Sequence, residues 1–182
     1  MAVVDILVVA ATAGELECAA GAATLACGIG PVEAAAATGR ALAESRPEAV
    51  LHVGLAGGRG IEPGTLVLGS ESLYSDLHAD VHVARRTFPD EELLAAARAA
   101  LPEALVRPIG TSAAVGGTTG CDVEAMEGFA VLRAAELAGV PAVELRAVSN
   151  EIEEPDRSRW YFEDGLAALE AALPRLLARL AG

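Results

Sequence analysis

Three apolar runs of the chain each end or begin in polar residues suited to chemistry. Glu15 follows the first, Glu124 and Glu127 precede the second, and Ser149-Asn150 closes the third. An ionised carboxylate only accepts hydrogen bonds, whereas an amide both donates and accepts, so two acids and an amide can take up a proton and hold a polar ligand. Simpler explanations stand beside this one. A carboxylate at Glu15 is favoured by the dipole of a helix starting there, and asparagine is at home in turns, so Asn150 could serve only to cap one. Asp76, His78, Asp80 and His82 alternate along one face of an extended segment, which resembles half a metal site, yet no second cluster supplies the remaining ligands. No metal is therefore expected. Nor is a cofactor, since Gly28-Ile29-Gly30 lacks the third glycine of a dinucleotide fingerprint and the chain has no GxxxxGK[ST] phosphate loop.

The elements that would carry these residues can be read from spacing. Val3 to Ala10 has the length and composition of a strand, and a helix is expected from Glu15 to about Gly21. Ala23 to Cys27 reads as a second strand, and Gly28 to Pro31 turns into a helix over 32–45 with proline at its first position. Ala49 to Val53 is a third strand. The glycine-rich segment Gly54 to Gly58 follows it, where missing Cβ atoms let backbone N–H groups approach a ligand or, equally, let the chain turn tightly. Gly64 to Ser70 is a strand entered through Glu62-Pro63-Gly64, Glu91 to Ala100 a helix, and Leu105 to Cys121 a strand with an uncharged loop. Phe129, Leu132, Ala135 and Ala138 recur at helical spacing, and Gly139 then Pro141 stop that helix. Pro141 to Val148 is a buried strand, which places Ser149 and Asn150 at its carboxyl end, where open α/β sheets bind ligands. A leucine-faced helix over 165–180, with Pro174 inside it, closes the chain. Alternating strands and helices give a largely parallel or mixed sheet covered on both faces, in a single domain over 1–182.

Composition narrows the function further. A formal charge of −13 opposes binding to nucleic-acid phosphates or an anionic membrane surface, so neither partner is expected. Cys18, Cys27 and Cys121 form no CxxC pair, and their odd number suits reduced thiols in a cytoplasmic chain. The apolar start, Met1 to Ala11, contains Asp5 and is too short to span a bilayer.

Four segments carry a resemblance: Val8 to Glu15 with its TAGE turn, CGIGPVEAA at 27–35, VGLAGG at 53–58, and MEGFAVLRAAELAGVPAVELRAVSN at 126–150. Together they resemble the purine nucleoside phosphorylase and nucleosidase superfamily. MEGFAVLRAAELAGVP with SNEIEEPDRSRW is most similar to its futalosine hydrolase branch, which serves an alternative route to menaquinone. The resemblance implies an α/β three-layer sandwich whose central mixed, largely parallel twisted sheet is flanked by helices. It also implies cofactor-free hydrolysis of the N-glycosidic bond of a purine nucleoside through an oxocarbenium-like transition state, in a dimer or larger homo-oligomer.

By the same resemblance Glu15 activates the attacking water, Met126 packs under the ribose, Glu127 accepts from ribose hydroxyls, and Asn150 faces N7 and the 6-substituent of the base. Gly57 belongs to the ligand-facing glycine segment, while Thr118, Thr119 and Phe129 are candidates to line the base pocket. Trp160 lies toward the substrate tail or simply docks a helix, and Arg85, Arg86 and Arg107 are candidates for the 5′ group. Leu55 stands where phosphorylases place a hydroxyl and no basic residue precedes it, so water is expected in place of phosphate. Ala125 replaces an acid of the adenine-type enzymes, and the span 74–124 is shortened. Because an amide can donate to a 6-oxo group where Asp suits a 6-amino group, a 6-oxopurine nucleoside is expected, futalosine foremost, releasing hypoxanthine. The alternatives are a methylthioadenosine/S-adenosylhomocysteine-type nucleosidase, a phosphorylase, and an inactive nucleoside-binding protein.

Overall fold

The computed structural model describes residues 5–19, 21–117 and 119–182. Among the described residues eight strands, β1 (Ile6–Ala10), β2 (Ala23–Ala26), β3 (Ala49–Gly58), β4 (Leu66–Tyr74), β5 (Arg86–Thr87), β6 (Leu105–Thr111), β7 (Val123–Ala125) and β8 (Ala142–Glu151), form one mixed sheet. Its order is β2-β1-β3-β7-β6-β4-β5, and β8 pairs with both β3 and β4. The pairs β1–β2, β1–β3, β3–β8, β4–β6 and β6–β7 are parallel, and β3–β7, β4–β5 and β4–β8 antiparallel. The expected largely parallel sheet is therefore present. One end of it closes: β3, β7, β6, β4 and β8 pair in a ring, around a small apolar core of Ala56, Val67, Ile109, Val123, Ala125 and Val148.

The helices α1 (Pro31–Ser45), α2 (Glu91–Ala100), α3 (Gly128–Ala138) and α4 (Phe162–Leu180) cover the two faces. Period-two alternation in β1 sorts its side chains. Leu7 and Val9 join Ala34, Leu42, Val131, Leu132 and Ala135 of α1 and α3, while Ile6, Val8 and Ala10 join Ala97 of α2 and Leu169, Leu173 and Leu176 of α4. Asp90 starts α2 by accepting from the backbone N–H groups of Glu92 and Leu93, both at 3.0 Å. Gly139 ends α3 in the left-handed conformation, φ 69°. Pro174 lies inside α4, which runs on to Leu180.

Four local expectations change. The helix expected after Glu15 is only a 3-10 turn, Gly14–Leu16, because this stretch lacks the apolar periodicity that would dock a longer one. Gly54 to Gly58 is extended, a continuation of β3 in which none of Gly54, Gly57 and Gly58 has positive φ. Residues 76–82 form no strand. β8 runs three residues past Val148, so Ser149 and Asn150 are its last buried residues. Thr118 lies outside the described residues, as do the first residues of the run expected to begin at Val3. Among the described residues, no helix is long and apolar enough to cross a membrane.

Candidate active site

A cavity of about 390 Å³ opens beyond the carboxyl ends of β1, β3 and β8. Glu15, Gly57, Met126, Glu127 and Asn150 all line it. Each arrives by a different route, and local chemistry explains why it stays.

Glu15 is carried on the 3-10 turn after β1 and is buried. Its Oε2 accepts from the Thr12 backbone N–H at 2.9 Å and the Thr12 hydroxyl at 2.7 Å, and its Oε1 accepts from the Leu55 N–H at 3.0 Å. Three accepted bonds leave about one of the four acceptor positions of a carboxylate for a ligand. Glu127 sits between β7 and α3, where its Oε1 accepts from the Gly30 N–H at 3.0 Å, at the N-terminus of α1. Gly30 can present that N–H because its φ of 94° turns the chain from β2 into the helix. Burial raises the Glu127 pKa above the ordinary carboxylate range, with Arg146 and the Gly30 N–H opposing the rise and the Glu15 and Glu144 carboxylates adding to it. Asn150 is buried, donates from Nδ2 to the Glu151 carbonyl at 2.9 Å, and accepts at Oδ1 from the Ser149 hydroxyl at 2.9 Å. One Nδ2 proton therefore remains for a ligand. A Cβ at Gly57 would stand 3.2 Å from that nitrogen, so glycine there makes room for the amide.

Beneath these groups lies a charged cluster that the sequence reading did not identify. Arg146 of β8 is fully buried, donates from Nε to Glu144 Oε1 at 2.8 Å, and lies 3.7 Å from Glu127 Oε2. Glu144 also accepts from the Ser72 hydroxyl. His52 of β3 lies 2.9 Å from the Val9 carbonyl through Nδ1, which must donate there, leaving Nε2 to accept from Arg146. Burial first, then the Arg146 charge, holds the His52 pKa well below its usual value, so the ring is neutral. Burial alone would loosen the Arg146 proton, but Glu144 and Glu127 outweigh it and the guanidinium stays charged. Gly54, directly beside Arg146 in the β3–β8 register, leaves the space through which Arg146 and Glu15 approach one another. The signal was present: strands buried on both faces should be apolar throughout, and His52, Glu144 and Arg146 are charged or polar inside such runs.

The remaining expectations fall elsewhere. Phe129 stacks on Tyr74, ring centroids 5.3 Å apart, in a separate groove between α1 and α3, and its N–H donates to the Thr111 hydroxyl. It is a packing residue and does not reach the cavity, because the helical turn after Glu127 points it to the opposite side. Thr119 is likewise absent from the cavity wall: its N–H donates to Glu124 Oε2 and its hydroxyl accepts from the Cys121 N–H, so it serves the loop itself. Glu124 lines the cavity and accepts from the N–H groups of Gly117 and Thr119, clamping that loop. Arg86 pairs with Glu71 at 3.4 Å, Arg107 donates to the Val106 carbonyl, and neither they nor Arg85 line the cavity. Among the described residues the cation that does line it is Arg157, with Trp160 and Phe162. Cys27 is no candidate nucleophile, since burial pushes its thiol up to about 11. Among the described residues no cluster of His, Cys, Asp and Glu could hold a metal ion.

Known proteins resemble this chain in sequence and in fold. The profile of the phosphorylase superfamily matches residues 7–181. A futalosine hydrolase from Streptomyces coelicolor is 36% identical over 182 aligned positions, covering 84% of this chain and 77% of that protein. Among solved structures, a 5′-methylthioadenosine/S-adenosylhomocysteine nucleosidase from Colwellia psychrerythraea in complex with adenine superposes with a TM-score of 0.86 at 20% identity, over 99% of this chain and 97% of that one. A futalosine hydrolase of Helicobacter pylori gives a TM-score of 0.86 at 17% identity, over 97% and 98%. The match over nearly the whole chain, together with the cavity at the strand ends, makes this protein a member of the phosphorylase superfamily, akin to the futalosine hydrolases.

Proposed function

We propose that the protein is a nucleosidase that hydrolyses the N-glycosidic bond of a 6-oxopurine nucleoside, with futalosine as substrate and hypoxanthine as the released base. The observation that carries this reading is the convergence on one cavity of Glu15, Glu127 and Asn150, the first and last of which are 135 positions apart in the sequence. In this reading Glu15 uses its remaining acceptor position to take a proton from water as that water attacks C1′. Glu127 accepts from the ribose hydroxyls, and both carboxylates stabilise the positive charge that develops on the sugar as the bond to the base lengthens. The free Asn150 proton meets the base edge, whose growing negative charge it stabilises. A donor there suits a 6-oxo group. The adenine-binding neighbour raises the alternative of a 6-aminopurine nucleoside, and the base preference decides between them.

Purified protein incubated with futalosine, inosine and methylthioadenosine, with and without phosphate, tests the reading. Hypoxanthine release from futalosine, independent of phosphate, is expected. Release only with phosphate would identify a phosphorylase, and tight binding without turnover would identify a binding protein. Glu15→Gln should lower kcat by about 10²–10⁴ while leaving nucleoside binding in place.

The reading includes a homo-oligomer. What supports it is an apolar groove between α1 and α3, lined by Pro31, Val32, Ala35, Gly39, Phe129 and Leu137, with Val32 77% and Leu137 72% exposed. Light scattering on the purified protein should give at least twice the mass of one chain.

A further inference from the structure

Beneath the cavity three carboxyl groups, Glu15, Glu127 and Glu144, surround one buried cation, Arg146. Register brings the cluster together. In the β3–β8 pair His52 lies beside Glu144 and Gly54 beside Arg146, and Glu144 and Arg146, two apart on β8, share one face. A guanidinium in that place could close a full ion pair with Glu127, yet its nitrogens are engaged elsewhere. Nε donates to Glu144 Oε1 at 2.8 Å, Nη2 to His52 Nε2, and Nη1 to the Leu55 carbonyl at 3.5 Å. Glu127 Oε2 is left 3.7 Å from Nη2, and among the described residues it accepts no hydrogen bond. Glu144 is held in turn by the Ser72 hydroxyl, and the missing Cβ of Gly128, directly after Glu127, makes room for its carboxylate.

We propose that Glu144 and His52 are positioning residues for Glu127: by holding the Arg146 guanidinium back, they leave Glu127 Oε2 free to accept from the ribose hydroxyls. This rests on the nucleosidase reading, in which Glu127 holds the sugar. A carboxylate already bonded to a guanidinium has fewer acceptor positions and less free charge to offer a ligand. A buried cation that loses one partner turns to another, and a shift of about 1 Å would bring Nη2 within bonding distance of Glu127 Oε2. The groups that face Glu127 are Arg146 and Glu144 from β8, Glu15 from the turn after β1, the Gly30 N–H from the start of α1, and the Cys27 thiol beyond β2, which stays protonated at neutral pH.

Glu144→Gln, which keeps the shape of the side chain, and His52→Leu each release one arm of Arg146. The NMR titration of the Glu127 carboxyl carbon, assigned by its loss in Glu127→Gln, should move to lower pH in both variants and less in Glu144→Asp, which keeps the charge. His52 is neutral, so its removal takes no charge away and reaches Glu127 through Arg146. In parallel, calorimetry compares inosine with 2′,3′-dideoxyinosine, which lacks both sugar hydroxyls. The wild-type protein should prefer inosine by about ten- to a hundredfold. Each variant should lower that preference by about three- to tenfold, and neither should lower it further in a Glu127→Gln background. A Glu127 titration that stays in place or moves up overturns the inference. So does an unchanged preference, or a loss that falls equally on both nucleosides, which is what a merely structural role would give. Should Glu144→Gln not fold, His52→Leu carries the same test with every acid intact. The titration needs no ligand, so its failure sinks this inference alone, whereas a wild-type protein that binds neither nucleoside sinks the nucleosidase reading and this inference with it.

Discussion

Replacing Gly54 by alanine should damage the site more than its size suggests. A Cβ there would stand 2.8 Å from Glu15 Oε1 and closer still to a terminal nitrogen of Arg146. To regain an ordinary contact of about 3.4 Å the carboxylate must retreat by about 0.6 Å. It has nowhere to go without cost, since the Thr12 and Leu55 N–H groups hold both of its oxygens. Arg146 is equally confined by Glu144 and His52. Breaking one charge-assisted bond in this setting costs about 1.5–3 kcal/mol, which for a chain of this size lowers Tm by roughly 3–12 °C. A displaced general base should reduce kcat by about ten- to a hundredfold. Thermal unfolding and initial-rate measurements on Gly54→Ala check both figures. Gly139→Ala provides the comparison, because its left-handed conformation makes alanine cost about 1–2 kcal/mol far from the cavity. That variant should lose stability and keep its kcat. If Gly54→Ala instead turns over like wild type, the proposed crowding of Glu15 and Arg146 around this position is wrong.

Two further substitutions address the other site residues. Because burial lifts the Glu127 pKa, its contribution to stability is complete below the unfolded carboxylate range and is lost as pH rises through the lifted value. Glu127→Gln should therefore gain Tm relative to wild type as the pH is raised from about 4 to 8, while its KM for nucleosides rises; a Tm difference that does not change with pH would contradict the burial argument. Asn150→Asp should shift preference from 6-oxo toward 6-amino nucleosides, changing the ratio of kcat/KM by about 10²-fold or more, as competing base release by chromatography would show. An unchanged ratio would remove Asn150 from base recognition.

Much of the fold was legible because its signals are local. The Gly30-Pro31 entry to α1, the Gly139 stop of α3 and the apolar run of β8 each announce themselves within a few residues. The short strands β5 and β7 were not foreseen, since two or three residues carry no periodicity and exist only through their partners. The glycine segment read as a loop became strand because neighbouring β8 supplies both hydrogen bonds and the Arg146 and Asn150 side chains that fill the space above Gly54 and Gly57. Phe129 and Thr119 fell outside the cavity for a similar reason: spacing places a residue on an element but does not say which of two adjacent cavities that element faces. Arg157 was passed over because it sits in an acidic, proline-containing stretch of sequence where charge alone carries no direction.

The ring of strands from β3 to β8 also bears on how the chain acquires its final state. Hydrogen bonds at its rim join Leu55 to Glu15, Gly30 to Glu127 and Arg146 to His52, across 40, 97 and 94 positions of sequence. Contacts so far apart close late and slowly, after the loop entropy between them has been overcome. During refolding, helical ellipticity should return before turnover does, with the buried acids left unmatched until the last strand docks.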